Sequence, residues 1–137
     1  MLYVFVFLLV TSSYAQDSTI ELINTGILAP EVEQEFKVLN QHANNKGMIW
    51  DEKLVQEALK EAKQRGSSNQ RLVIYRKKKF EGTPFTLNKA VHSTFTHLFS
   101  KYSNWIYYLP AKTRYGCNGL FNQSIREITV VCVYKAN

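Results

Sequence analysis

The feature that most constrains this chain is the stretch LNQHANNKGMIWDEKLVQEALKEA, residues 39–62. Within it Leu54, Val55, Ala58, Leu59 and Ala62 recur every three to four residues. Glu52, Lys53, Gln56, Glu57, Lys60, Glu61, Lys63 and Gln64 fill the other side. A helix so patterned is apolar on one face only and must lay that face on another layer. Asp51 stands where an N-cap belongs, its carboxylate able to accept from an orphan backbone N–H. Leu54 occupies the partner position of a capping box, so the reciprocal half of that motif is missing. Gly66-Ser67-Ser68-Asn69 ends the helix. Upstream, Pro30 followed by Glu31 and Glu33 suits a helix start. Val32, Phe36, Leu39 and Ala43 keep the helical period, which predicts a first helix over 30–44. Asn44-Asn45-Lys46-Gly47 stops it, because Asn and Gly tolerate a left-handed backbone.

Beyond this pair the pattern changes. QRLVIYR, residues 70–76, predicts a strand, and Arg76-Lys77-Lys78-Lys79 is the densest positive run. That run reads as a solvated loop or a charge-protected edge strand, with a contact site for anions as the functional alternative. Gly82-Thr83-Pro84 predicts a turn. Leu87, Val91, Phe95 and Leu98, with Phe99 beside them, predict a third helix over 85–101. YSNWIYY, residues 102–108, predicts an extended aromatic segment ended by Leu109-Pro110. Its rings read first as core, since Tyr and Trp bring large apolar area with a polar tip. As a functional alternative, Trp105, Tyr107 and Tyr108 would line a lipid pocket. Residues 128–134, ITVVCVY, predict a strand. Gly116 and Gly119 suit a tight turn or a close backbone approach.

The chain has 137 residues, and the first fifteen, MLYVFVFLLVTSSYA, carry an apolar run too short to span a bilayer as a helix. Ser13 and Ala15 follow at small-residue positions suited to cleavage, so residues 1–15 read as a signal peptide, with a buried strand or an anchor as the alternatives. Residues 16–30 read as an N-terminal arm and 31–137 as a single domain. About 120 residues fill one domain and bury a core without a dense disulfide framework. The two cysteines, Cys117 and Cys132, therefore suit one bridge, with free thiols or an intermolecular bond as the alternatives. Asn122-Gln123-Ser124, between them, is a glycosylation sequon in an exported chain. None of the +6 net charge lies in the first fifteen residues. A pI near 9.3 favours acidic surfaces, glycans or anionic lipid. Export argues against nucleic acid as a partner, and no second long apolar stretch predicts an integral membrane protein.

These segments together resemble the CAP superfamily, the secreted SCP/TAPS type that includes antigen-5 and pathogenesis-related-1 proteins. Leu39-Asn40-Gln41-His42 is similar to the family's early His-Asn-type segment. Met48-Ile49-Trp50-Asp51-Glu52-Lys53-Leu54, with Ala58 and Ala62, is similar to its Trp-Asp helix. Gly116-Cys117 and Val130-Val131-Cys132-Val133-Tyr134 resemble its ending. The resemblance spans roughly residues 32–134 with gaps. It implies an α+β fold, a compact CAP-like α-β-α sandwich, here with the family's middle segment shortened. The family's cleft usually carries two His and two Glu, sometimes around a divalent ion. Here Thr94 stands where the His before Phe95-Thr96 is expected, and the Glu expected near Gln70-Arg71 is absent.

His42, His92 and His97 remain, but their spacing gives no i,i+4 pair for zinc. Ser93 and Ser100 lie near His92 and His97 without a nucleophile elbow, and Cys117 as a nucleophile conflicts with a bridge. The sequence therefore predicts a secreted, non-enzymatic protein without a cofactor, acting on an extracellular protein, lipid or glycan. A sterol or fatty-acid carrier and a cationic antimicrobial or glycan binder using Arg76 to Lys79 are the alternatives.

Overall fold

The computed structural model describes residues 19–23, 30–69, 72–81 and 86–136. The expected signal peptide, most of the arm and the turn at residues 82–84 lie outside them. In chain order the elements are β1 (Thr19–Glu21), α1 (Pro30–Ala43), β2 (Ile49–Trp50), α2 (Glu52–Lys63), β3 (Leu72–Lys79), α3 (Leu87–Tyr107), β4 (Arg114–Asn122) and β5 (Glu127–Lys135). The strands form one mixed, open sheet in the order β1-β4-β5-β3, with β2 added in parallel to β4. The helices α1 and α3 pack on each other over one face, and α2 covers the other. This is the three-layer α-β-α sandwich that the sequence implied.

Both faces of the sheet centre are thus covered, and the strands there read as apolar runs rather than alternating ones. Ile128 and the whole of Val130–Val133 are buried completely. On the α1/α3 side Phe36 meets Phe95 edge-on at 4.6 Å, and Ile74, Val91, Cys117, Cys132 and Tyr134 pack around them. On the α2 side Leu54, Ala58 and Ala62 cover Val131 and Val133.

The helix start at Asp51 is built as its sequence dictates. The Asp51 side chain accepts from Lys53 N at 2.9 Å, and its second oxygen meets Arg114 Nη1 at 3.3 Å. Asp51 N–H donates to Tyr115 O at 2.8 Å, which locks the helix start to β4. Gly116 is the reason the two can approach. A Cβ there would lie 2.3 Å from Val55 N and 2.5 Å from Leu54 C, both backbone atoms. The other end of α2 differs from expectation. Glu61 is buried, not solvated, and its carboxylate accepts from Gly66 N and Ser68 N at 2.5 and 2.8 Å. It satisfies backbone donors of the loop that follows the helix.

Further boundaries move. The segment predicted as extended, Tyr102–Tyr108, continues α3 through Tyr107. Leu98, Phe99 and Ile106 keep one buried stripe, and that packing overrides the weak helix propensity of aromatic residues. Of the two readings of Gly116 and Gly119 the close backbone approach holds and the turn does not, since β4 pairs with β5 through its whole length. The strand predicted to end at residue 76 runs to Lys79, paired to β5 throughout, with Lys79 opposite Glu127.

Candidate functional site

The cleft lies between α1 and α3. Its lining comprises Leu39, His42, Ala43, His92, Thr96, Phe99, Ser100, Ser103, Asn104 and Tyr107. Its volume is about 480 Å³, within the roughly 300–1,000 Å³ typical of small-molecule sites. On α1, Leu39, His42 and Ala43 recur at i, i+3 and i+4. On α3, His92, Thr96, Phe99, Ser103 and Tyr107 recur at i, i+4, i+7, i+11 and i+15. Each row therefore runs along the edge of the buried stripe of its helix, sharing Phe99 with it on α3, and the two face across the gap. Leu39, Ala43, Phe99 and Tyr107 supply apolar wall, while His42, His92, Asn104 and the hydroxyls supply polar groups.

At the cleft rim a polar contact crosses between the helices. His92 Nδ1 donates to Glu35 Oε1, because an ionised carboxylate can only accept. His92 is more than half exposed, so the pair sits at the cleft rim. The Thr96 hydroxyl donates to His92 O at 2.7 Å and that of Ser100 to His97 O at 2.8 Å. Both hydroxyls are thus turned onto their own helix, which leaves the cleft drier than its composition suggests.

Below the cleft, α1 is anchored by one buried amide. Asn40 Nδ2 donates to Phe36 O at 2.9 Å and lies 3.3 and 3.7 Å from the sulfurs of Cys117 and Cys132. Its Oδ1 accepts from the Tyr134 hydroxyl. Cys117 and Cys132 are bonded, S–S 2.04 Å, across neighbouring positions of β4 and β5. Tyr134 stacks on Tyr115 at 6.2 Å. Burial pushes the Tyr115 hydroxyl up to about 12, with the Glu33 charge adding to it. Burial holds Tyr134 well above its usual range, with Tyr115 adding. At the end of α1, Asn44 Nδ2 donates to Ile106 O at 2.8 Å and Leu109 O at 3.3 Å, which ties the two helix ends together.

The residues singled out from sequence fall in different places. Tyr107 lines the cleft, but Trp105 and Tyr108 do not. Trp105 leans on Tyr102 and Tyr134, and Tyr108 stands 77% exposed against Tyr107. The expectation that these three rings are core fails for a simple reason. At the helix end Ile106 takes the inward position and turns its neighbours out. The Arg76–Lys79 run does not form one patch, because strand alternation sends Arg76 and Lys78 to the α3 side and Lys77 and Lys79 to the other. Lys78 Nζ reaches Ser93 Oγ at 3.0 Å, and Lys77 pairs with Glu127 at 3.6 Å. Asn122 sits at the end of β4, its Oδ1 accepting from Ser124 N and Oγ. Thr94, standing where the family has His, is buried with its hydroxyl on Ala90 O. His97 is exposed and outside the cleft lining. His42 and His92 do meet the cleft, and Glu35 was missed in the sequence. Only the packing of α1 on α3 joins Glu35 to a residue 57 positions away. Among the described residues no group of three or more His, Cys, Asp or Glu could hold a metal ion.

Comparison with known proteins places this geometry. The profile of the 15 kDa excretory/secretory protein family (ES15) matches residues 35–136. A 30 kDa antigenic glycoprotein of Trichostrongylus colubriformis is 30% identical over 111 residues, covering 79% of this chain and 82% of that protein. Among solved structures, Ancylostoma-secreted protein Ac-ASP-7 superposes with a TM-score of 0.61 at 20% identity, over 84% of this chain and 74% of the other. Its manganese-bound form superposes with a TM-score of 0.58, at the same identity and coverage.

Proposed function

Since the chain belongs to the 15 kDa excretory/secretory protein family, within the CAP superfamily, and is secreted, we propose that it is an extracellular binding protein. In this reading the α1/α3 cleft takes a small amphipathic lipid, such as a fatty acid or a sterol. One observation carries the reading: a groove of about 480 Å³ walled by Leu39, Ala43, Phe99 and Tyr107, with polar groups confined to a few positions. Apolar walls supply affinity through area removed from water, and His42, His92 and Asn104 orient a head group. The site binds rather than turns over its ligand. The hydroxyls of Thr96 and Ser100 donate to backbone carbonyls of α3 rather than to His92, so neither forms a nucleophile–base pair with it.

Manganese is carried by the structure of Ac-ASP-7, but the donor set here does not fit such an ion. Among the described residues no three His, Cys, Asp or Glu side chains come together to hold it: His92 pairs with Glu35 at the rim, and Thr94 is turned into the core. Residues 1–15 are proposed as the signal peptide that directs export. Asn122 is proposed to carry a glycan, supported by the exposed turn of Gln123, Ser124 and Ile125 that follows it. A mobility shift of the secreted protein on treatment with an amidase that releases N-glycans, absent in Asn122→Gln, tests that part.

The test of the cleft is titration of the purified protein with a fluorescent fatty acid and a fluorescent sterol at low and high salt. Saturable, salt-insensitive uptake is expected. Thr96→Trp and Ser100→Trp, which fill the groove from exposed positions, should abolish it while leaving the unfolding midpoint in place. Absence of saturable uptake, or uptake indifferent to both substitutions, sinks the reading.

A further inference from the structure

The end of α3 carries an unusual load of exposed ring. Trp105 is 40% exposed, Tyr107 51% and Tyr108 77%. Lys101, Trp105 and Tyr108 recur at i, i+4 and i+7 and so form one outward stripe. Tyr107 and Tyr108 meet edge-to-face at 5.2 Å. Cations surround the rings. Lys46 Nζ lies 4.9 Å from the Tyr107 ring and donates to Tyr107 O at 2.7 Å. Lys101 Nζ lies 5.4 Å from the Tyr102 ring. Lys112 is exposed in the following turn. No acidic residue occurs anywhere from Gly82 to Arg126, although the chain has eleven in all.

From this combination we infer that the C-terminal end of α3, with the Lys46 and Lys112 turns, docks on an anionic lipid bilayer. Rings with an apolar body and a polar tip settle at head-group depth, where both parts are satisfied. Lysines beside them gain from the negative surface potential, and the stretch from Gly82 to Arg126 adds no carboxylate of its own to oppose it. Tyr107 belongs both to this surface and to the cleft wall. A lipid in the cleft therefore exchanges with the membrane at the docked end. That purpose rests on the carrier reading above, whereas the docking itself does not.

The test uses the full secreted protein and vesicles of phosphatidylcholine with and without phosphatidylserine, read by co-sedimentation and tryptophan emission. Partition is expected only with phosphatidylserine, with a blue shift that Trp105→Phe removes and Trp50→Phe does not. Lys46→Gln, Lys101→Gln and Lys112→Gln should each weaken partition about fivefold. Tyr107→Ser with Tyr108→Ser should weaken it further, with the unfolding midpoint unchanged. Lys77→Gln with Lys79→Gln, which removes twice the charge of each single substitution but elsewhere, should leave partition unaltered. Equal loss in that control, binding to heparin without partition to vesicles, or no partition at all would each overturn the proposal. Partition that persists in Thr96→Trp separates the two readings: docking then stands while cleft uptake is lost.

Discussion

Asn40 and Tyr134 are coupled through one buried hydrogen bond, and a double-mutant cycle measures it. Both side chains are almost fully buried, and the Tyr134 hydroxyl donates to Asn40 Oδ1. Tyr134→Phe removes only the hydroxyl and leaves Oδ1 without its donor. Asn40→Leu conserves volume and leaves the hydroxyl without its acceptor. A buried polar group so orphaned costs about 1–3 kcal/mol, whereas replacing both partners by apolar groups of the same shape is nearly neutral. Each single substitution is therefore expected to cost about 2 kcal/mol, and the pair together about 2 rather than about 4 kcal/mol. The contacts from Asn40 Nδ2 to the two sulfurs add little, because sulfur is a weak acceptor. The assay is urea unfolding of the oxidised protein, followed by circular dichroism and tryptophan emission on the same samples. Costs that add to within about 0.5 kcal/mol would falsify the coupling, and with it the view that α1 is pinned through this amide.

Other substitutions probe other joints. Gly116→Ala forces a Cβ onto the backbone of Leu54 and Val55. It should cost about 3 kcal/mol and lower the melting temperature by roughly 12 °C. Gly66→Ala meets nothing within 4 Å and should cost only the left-handed backbone at φ +88°, about 1 kcal/mol. Tyr115, raised to about 12 against an ordinary 10, contributes stability that is complete below pH 10 and lost as pH rises through 12. Burial of this group makes the loss about 3 kcal/mol, seen as alkaline unfolding coincident with tyrosinate absorbance. Breaking the Cys117–Cys132 bond, which closes a loop of separation 15, should cost about 3 kcal/mol in unfolding measured with and without reductant. Glu35→Gln should change stability by less than about 1 kcal/mol, since its partner His92 is largely exposed. In the same variant the affinity for a fatty acid should change.

Much of the framework was legible because it is local. The Asp51 cap, the apolar face of α2 and the run from Ile128 to Tyr134 are each specified by residues within one turn or one strand. The α-β-α layering followed from the resemblance of the Trp-Asp helix and the cysteine-bearing ending. What was not legible depends on contacts across the chain. Tyr102–Tyr108 has the composition of a strand, and only the burial of Ile106 against α1 and the sheet makes it helix. Glu61 looked solvated because its partners, Gly66 N and Ser68 N, are loop amides whose positions no periodicity encodes. The Arg76–Lys79 run reads first as a loop or a charge-protected edge strand, and β3 is a sheet edge; its composition does not show that pairing divides the four cations between two faces. The cleft itself left a faint signal: His92, Thr96, Phe99, Ser103 and Tyr107 form a second row beside the core stripe of α3. Glu35 left none.

The position of β4 in the chain also bears on how the protein matures. This strand pairs with β1, β2 and β5 and holds the start of α2. Yet it is made after α1, α2, β3 and α3 have already emerged from the ribosome. Those segments cannot close their layers until it arrives, so most of the pairing that defines the sheet is of long range and slow to form. In the interval the sheet-facing sides of α1 and α3 stay open to water, the kind of exposed apolar surface that makes a folding intermediate prone to aggregate. Changes near Gly116 should therefore show first as reduced secreted yield, before any defect in the protein that does escape.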